Sequence, residues 1–258
     1  MADTATPILV EAANGVLGIR INRPEKKNAL TSAMYDLMAD AIAQAEADPA
    51  IRAVLISGNG DCFTAGNDLG DFLANPPLSG DSPPGRFLKA LMGTRKVLVA
   101  AVHGSATGIG TTMLLHCDLV FAGHSASLSL PFVKLGLVPE AGSSLLLPRL
   151  TGHHRASEML LLGEPVDART AQELGLVNRV IEDDALLPTA LAVAESVAAL
   201  PHEAVLQTKA LLKLNTPDLA ERMDRELEVF NAQLRSPAFR EIATAFMEKR
   251  KPDPACWK

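Results

Sequence analysis

Residues 97–116 read Val97-Leu98-Val99-Ala100-Ala101-Val102-His103-Gly104-Ser105-Ala106-Thr107-Gly108-Ile109-Gly110-Thr111-Thr112-Met113-Leu114-Leu115-His116. The apolar run over 97–102 has the length and β-branched content of a strand buried on both faces. A glycine-bearing loop over 104–110 follows, then a helix over 111–116 and another strand over 119–122. Strand, glycine loop and helix in immediate succession predict a turn of an α/β fold, with the loop brought to the helix start.

The same order occurs upstream. Segments 8–11 and 16–22 are short strands around Asn14-Gly15, a hairpin signal, and Leu17, Ile19 and Ile21 alternate along the second. A helix over 31–47, a strand over 53–57, a loop over 58–68 and a helix start over 69–74 complete the unit. Downstream, 128–130 and 177–181 read as strands, with helices over 143–150, 155–162 and 168–174. The fold class is therefore α/β, built from stacked strand-strand-helix turns with the sheet enclosed by helices.

Beyond residue 184 no strand signal remains. Leu219, Met223, Leu227, Phe230 and Leu234 recur at helical spacing, the stripe of either a solvated surface helix or one that packs on a neighbouring subunit. Segment 75–85, rich in Pro and Gly, is expected to be an irregular loop, a lid or plain surface. Phe72, Leu73, Phe87, Leu91 and Met92 flank it, as core or as the wall of an apolar tunnel.

A chain of 258 residues, 48% hydrophobic, can bury one large core with a smaller helical appendage. Its net charge of −6, without clustered Lys or Arg, argues against nucleic acid as a partner. Cys62, Cys117 and Cys256 are scattered and odd in number, which predicts free thiols in a reducing compartment. Neither a basic leader nor a bilayer-length apolar stretch is visible, so a soluble cytoplasmic protein with no membrane partner is expected. The six histidines form no metal-ligand pattern; His153-His154 reads as a helix cap in solvent.

Two loops and one acid carry the chemical signal. Cys62-Phe63-Thr64-Ala65-Gly66-Asn67-Asp68-Leu69 and His103 to Thr112 each place small residues just before a helix, where main-chain N–H groups can point at developing negative charge. Each loop alone is also an ordinary structural turn. Glu140, in Leu137-Val138-Pro139-Glu140-Ala141-Gly142-Ser143-Ser144, is a lone carboxylate beside an apolar run. Desolvation there would raise its pKa into the range of a proton carrier; alternatively it is a helix-start glutamate complementing the dipole. Asp68 reads as a helix cap.

Together with Asn22-Arg23-Pro24, Asn28-Ala29-Leu30 and Lys249-Arg250-Lys251-Pro252, these segments resemble the crotonase superfamily, the enoyl-CoA hydratase/isomerase family, over nearly the whole chain. The resemblance implies a spiral of ββα turns over 1–195 and a helical trimerisation region over 196–258. A homotrimer or a dimer of trimers follows from it. It also implies an acyl-CoA thioester substrate, no cofactor and no metal.

By motif, the two main-chain donors for a thioester enolate fall on Asn67 and Ile109. Lys27, Ala29, Ala65, Gly66, Asp68, Leu69, Gly108 and Gly110 fall at substrate-binding positions. Lys26 and Lys27 either approach the CoA phosphates or are solvated. The two acids of the hydratases align with Thr112 and Phe132, so both are missing. Glu140 aligns with the single glutamate of Δ3,Δ2-enoyl-CoA isomerases resembling the peroxisomal type, which implies a 3-enoyl to trans-2-enoyl shift. The ending Cys256-Trp257-Lys258 lacks the peroxisomal tripeptide, and a bacterial-type enzyme is expected. The rivals are a hydratase with unusual groups and a catalytically silent acyl-CoA-binding protein.

Overall fold

The computed structural model describes residues 6–76, 79–214 and 218–257. A six-stranded sheet in the order β1-β2-β3-β4-β6-β9 forms its centre. These strands are β1 (Ile8–Ala13), β2 (Val16–Ile21), β3 (Ala53–Gly58), β4 (Val97–Val102), β6 (Leu119–Gly123) and β9 (Arg179–Ile181). β1 pairs antiparallel to β2 through Asn14-Gly15, both in the left-handed region that this hairpin turn requires; every other pairing is parallel. A second layer of three short strands, β5 (Ser105–Thr107), β7 (Ser127–Ser129) and β8 (Val166–Asp167), lies beside it.

Alternation along the strands creates two apolar faces. Leu17, Ile19, Ile21, Val54, Ile56, Leu98, Ala100 and Val102 join one cluster with Met34, Tyr35, Met38 and Ile42 of α1 (Ser32–Ala47). Val16, Ala53, Leu55, Val97, Val99, Ala101 and Phe121 face the other way, onto Leu186, Ala190, Ala194 and Ala198 of α8 (Asp183–Ala198). Small alanines on α8 let the helix lie close to the sheet. This two-sided burial explains why β3 and β4 read as continuous apolar runs.

The stacked turns are visible in the second layer. Bridges join Leu30 to Asn67 and Thr64 to Ala106, continuing sideways the pairing of β5 with β7. The chain thus winds through the main sheet, then the second layer, then a helix. α2 (Leu69–Ala74) and α3 (Pro83–Gly93) follow one pass, and α4 (Ile109–Thr112) follows the next.

Several boundaries differ from expectation for identifiable reasons. Part of the expected loop over 104–110 is β5, whose residues pair with β7, and the following helix starts at Ile109 and tightens into a 3₁₀ turn over Met113–His116. The helix expected over 155–162 begins as α6 (His153–Ser157) and widens into a π turn over Glu158–Leu162. Gly152 is its N-cap, so His153 and His154 lie inside the helix and do not cap it. The end of segment 75–85 is regular: Ser82 caps α3, with Pro83 and Pro84 in its first turn, where proline's missing N–H costs nothing. Residues 77 and 78 of that segment lie outside the described residues.

The remaining helices are α5 (Ser143–Thr151), α7 (Ala168–Glu173), α9 (His202–Lys213), α10 (Leu219–Leu234) and α11 (Pro237–Met247). The stripe of α10 faces its own chain. Leu219, Phe230 and Leu234 are buried there, and Met223, Leu227 and Phe230 line a cavity against α3. The solvated reading of that stripe therefore does not hold. Among the described residues no single helix is long and apolar enough to cross a membrane.

Candidate active site

The two glycine loops lie side by side because their backbones are bonded together. Phe63 N–H donates to His103 O at 2.8 Å, Thr64 N–H to Ser105 O at 3.0 Å and Thr107 N–H to Thr64 O at 3.0 Å. On the other flank, Ala65 N–H reaches Lys27 O at 2.9 Å, and Leu30 N–H reaches Gly66 O at 2.8 Å. Asn28, fully buried, donates to Asn59 O and Cys62 O, each at 2.8 Å, and so pins the turn that leads into the first loop. Gly66 has φ +91°, and a Cβ there would meet Thr107 O at 2.8 Å. Only glycine lets the loops approach this closely.

Two N–H groups are left over at this junction. Neither Asn67 N–H nor Ile109 N–H meets an acceptor among the described residues, and Ile109 stands at the first position of α4, where helical N–H groups have no intrahelical partner. Gly108, at φ +55°, turns the chain into that helix start. Ile109 as a whole is buried, and Gly108 just before it lines a cavity. Asp68 caps α2 through Gly70 N–H and Asp71 N–H, both 3.1 Å, and pairs with Arg23 at 2.7 Å. Burial opposes ionisation of Asp68, yet these bonds outweigh it and hold its carboxyl below the usual range.

Two adjoining cavities meet at this point. One, of about 620 Å³, is lined by Lys26, Lys27, Ala29, Ala65, Gly66, Asp68, Leu69 and Gly108, together with Asn67. Every expected binding position except Gly110 faces it. Gly110 is buried beneath, where a Cβ would come within 2.6 Å of Thr64 Cγ2; its role is to let α4 pack against the first loop. The other cavity, about 290 Å³, is lined by Tyr35, Asn67, Met92, Glu140, Met223 and Leu227, among others. Asn67, Phe72 and Phe230 belong to both walls, and the two rings meet edge to face with centroids 6.4 Å apart.

Glu140 stands in the wall of the smaller cavity. Its side chain keeps partial exposure because it lines that space, yet surrounding protein deprives its carboxyl of bulk water. Burial pushes its pKa up to about 7; the Thr112 hydroxyl, donating at 2.5 Å, opposes the rise, and the charge of Glu226 adds to it. Such a carboxyl exchanges a proton readily in both directions near neutrality. The helix-start alternative fails on geometry. Glu226 of α10, and not Glu140, accepts the N–H groups of Gly142 and Ser144 at the start of α5, at 2.6 and 2.9 Å.

Three neighbours were not singled out as participants by sequence reasoning. Thr112 was noted only as the place of a missing acid, yet it is the direct partner of Glu140. Tyr35, the chain's one tyrosine, is buried in the cavity wall and its hydroxyl donates to Asn67 Oδ1. Burial, then the nearby charges of Glu140 and Asp71, push its pKa well up, so it stays a donor. Glu226 was hidden in the α10 stripe; a glutamate three residues after Met223 on an otherwise apolar face was the available signal. Among the described residues no group of three metal-ligating side chains converges anywhere.

Two main-chain N–H groups without acceptors near apolar cavities, with a carboxyl of raised pKa in the wall beside Asn67, form a site of the kind that binds and stabilises an anion. Residues 11–255 match the model of the family described as enoyl-CoA hydratase/isomerase, and the chain belongs to that family. A 1,2-epoxyphenylacetyl-CoA isomerase of Escherichia coli (strain K12) is 35% identical, covering 95% of this chain and 97% of its own. A 2,3-dehydroadipyl-CoA hydratase of the same organism is 34% identical, with coverage of 95% and 97%. A crystal structure of an enoyl-CoA hydratase/isomerase from Pseudoalteromonas atlantica T6c superposes with a TM-score of 0.92 at 46% identity, covering 96% of this chain and 99% of that one. The fold is thus the crotonase-like α/β spiral with C-terminal helices.

Proposed function

We propose that the protein is a Δ3,Δ2-enoyl-CoA isomerase, which moves the double bond of a 3-enoyl-CoA into conjugation with the thioester. The observation that carries this reading is Glu140, the carboxyl in the cavity wall shared with Asn67 whose pKa is pushed up to about 7, whereas both oxygens of Glu226 in the same wall are taken by backbone N–H groups; by the resemblance, Thr112 and Phe132 fall where the hydratases carry their acids. Hydration needs groups that orient water and deliver its proton, and neither side chain does this. An allylic shift needs one base.

In this reading Glu140 takes the C2 proton, acidified by both the carbonyl and the alkene. The electrons move into a dienolate whose oxygen lies against Asn67 N–H and Ile109 N–H, and the protonated Glu140 returns the same proton to C4. A donor of this kind contributes about 3 to 4 kcal/mol to the barrier. The larger cavity, with Lys26 and Lys27 at its rim, would take the CoA portion, and the smaller apolar cavity the acyl chain. The relative named as an epoxyphenylacetyl-CoA isomerase supports an intramolecular rearrangement of a CoA thioester. A homotrimer is part of the proposal; the exposed Leu161, Leu162, Leu211 and Leu212 are the apolar surface that would support it.

The test follows absorbance of the conjugated enoyl thioester with purified protein. 3-Hexenoyl-CoA should gain the band, and Glu140→Gln should abolish the gain while CoA-ester binding persists. Loss of the band from crotonyl-CoA, with no reaction of the 3-enoyl ester, would instead establish the hydratase. Binding without turnover of either ester would identify a silent binding protein.

A further inference from the structure

Glu226 occupies a costly position. It is 7% exposed on the inner face of α10, between Met223 and Phe230, where burial raises its pKa and the hydrogen bonds it accepts offset that only in part. Both oxygens are used: Oε2 accepts Gly142 N–H at 2.6 Å, and Oε1 accepts Ser144 N–H at 2.9 Å. Arg222, one turn earlier on the same helix, donates to Ser144 Oγ at 3.2 Å.

The clamped segment is the turn that carries Glu140. Its backbone is not at rest, because Ala141, a non-glycine residue, is held at φ +60°, a conformation that costs about 1 to 2 kcal/mol. Two outside groups hold it there. His116, kept neutral by burial with its pKa near 4, donates from Nε2 to Ala141 O at 2.8 Å, and Glu226 takes the next amide. Within the turn, Ser143 N–H and Oγ both close on Glu140 O, at 3.0 and 2.6 Å.

We propose that Glu226 is a positioning residue for the isomerisation: its carboxylate latches α10 to the turn bearing Glu140, so that the base is aimed into the acyl cavity only while α10 is seated. This inference rests on the reading of Glu140 as the base. The latch joins two functions of α10, since Met223, Leu227 and Phe230 of the same helix also wall the acyl cavity. Seating the helix completes the apolar chamber and orders the base in one event. The Glu226 charge also opposes ionisation of Glu140. Other ionisable groups around the cavity are Tyr35 from α1, Lys89 from α3 (paired with Asp81), and Asp224 on α10; Arg222 acts on the Glu226 side.

The experiment compares wild type, Glu226→Gln, Glu226→Asp and Glu140→Gln in the 3-hexenoyl-CoA assay from pH 5.5 to 9, with Tm measured on each. Glu226→Gln keeps the shape, but its NH2 cannot accept the second amide. Its kcat should fall roughly tenfold, the loss of one charge-assisted bond, with KM little changed. The acid limb of its pH profile should move to lower pH, because one negative charge beside Glu140 is gone. Glu226→Asp keeps the charge but is too short to reach both amides; it should lose kcat without moving the limb. An unchanged kcat and limb in Glu226→Gln, with Glu140→Gln inactive, would overturn the latch and leave the base assignment standing. So would a loss of activity that merely tracks a lowered Tm. Full activity in Glu140→Gln would overturn the base assignment, and the latch with it.

Discussion

The hydroxyl of Thr112 donates to Oε1 of Glu140 at 2.5 Å, across the interval between α4 and the turn before α5. The short helix that begins at Ile109 therefore also supplies the side chain that holds the Glu140 carboxyl. Thr112 is fully buried, so this bond is shielded from competing water.

Replacing Thr112 with the near-isosteric valine removes a bond that favours the charged carboxylate. The pKa of Glu140 should then rise further, and the acid limb of kcat/KM should move above its wild-type position near 7. At neutral pH the rate should drop about tenfold, the effect of one lost hydrogen bond to a charged group. A pH–rate series on Thr112→Val checks both, and a limb that shifts downward would contradict the geometry.

Glu140 links pH to stability with a definite sign. Its folded pKa of about 7 lies above the ordinary 4.5, so the fold holds a proton that the unfolded chain releases between these values. The stabilisation is present in full below pH 4.5 and is lost as pH rises through 7. Glu140→Gln should accordingly be more stable than wild type at pH 8, by at most about 3 kcal/mol since the side chain's partial exposure reduces the effect, and should lose this advantage below pH 5. Urea unfolding at the two pH values measures the difference.

Gly66→Ala should act on kcat more than on KM. The new Cβ would sit 2.8 Å from Thr107 O at a backbone angle of φ +91°, so the two loops must separate. On the proposed mechanism this displaces Asn67 N–H from the substrate oxygen, and the loss of one donor predicts a fall of roughly 10²-fold in kcat. Steady-state kinetics with a 3-enoyl-CoA checks the split.

Phe230→Ala removes the ring that meets Phe72 edge to face between the cavities. Truncating this buried side chain should cost about 3 kcal/mol. It should also merge the two spaces, broadening the acyl groups accepted and raising KM for short ones. Thermal melts together with an acyl-chain series from four to twelve carbons would detect both effects.

Much of the fold was legible because its signals are local. Val97–Val102 is apolar throughout since both faces of β4 are covered, and Asn14-Gly15 turns the hairpin by intrinsic φ preference. Boundaries failed where a long-range partner decided them. Ser105–Thr107 has no strand pattern of its own and becomes β5 only because Ser127–Ser129 lies alongside. The candidate site divided in the same way. Asp68 as a cap depends on residues two and three positions ahead, whereas Tyr35, Thr112 and Glu226 approach Asn67, Glu140 and the α5 start from 32, 28 and more than 80 residues away.

The sequence by itself determined the order along the chain of the six strands of the main sheet and the positions where a backbone must bend as only glycine easily can. These follow from side-chain size, periodicity and backbone sterics over a few neighbouring residues. Tertiary structure alone decided which face α10 turns inward, that Gly110 packs rather than binds, and how basic Glu140 is. Each of those depends on the dielectric, charge and packing supplied by chain segments distant in sequence, which no local pattern encodes.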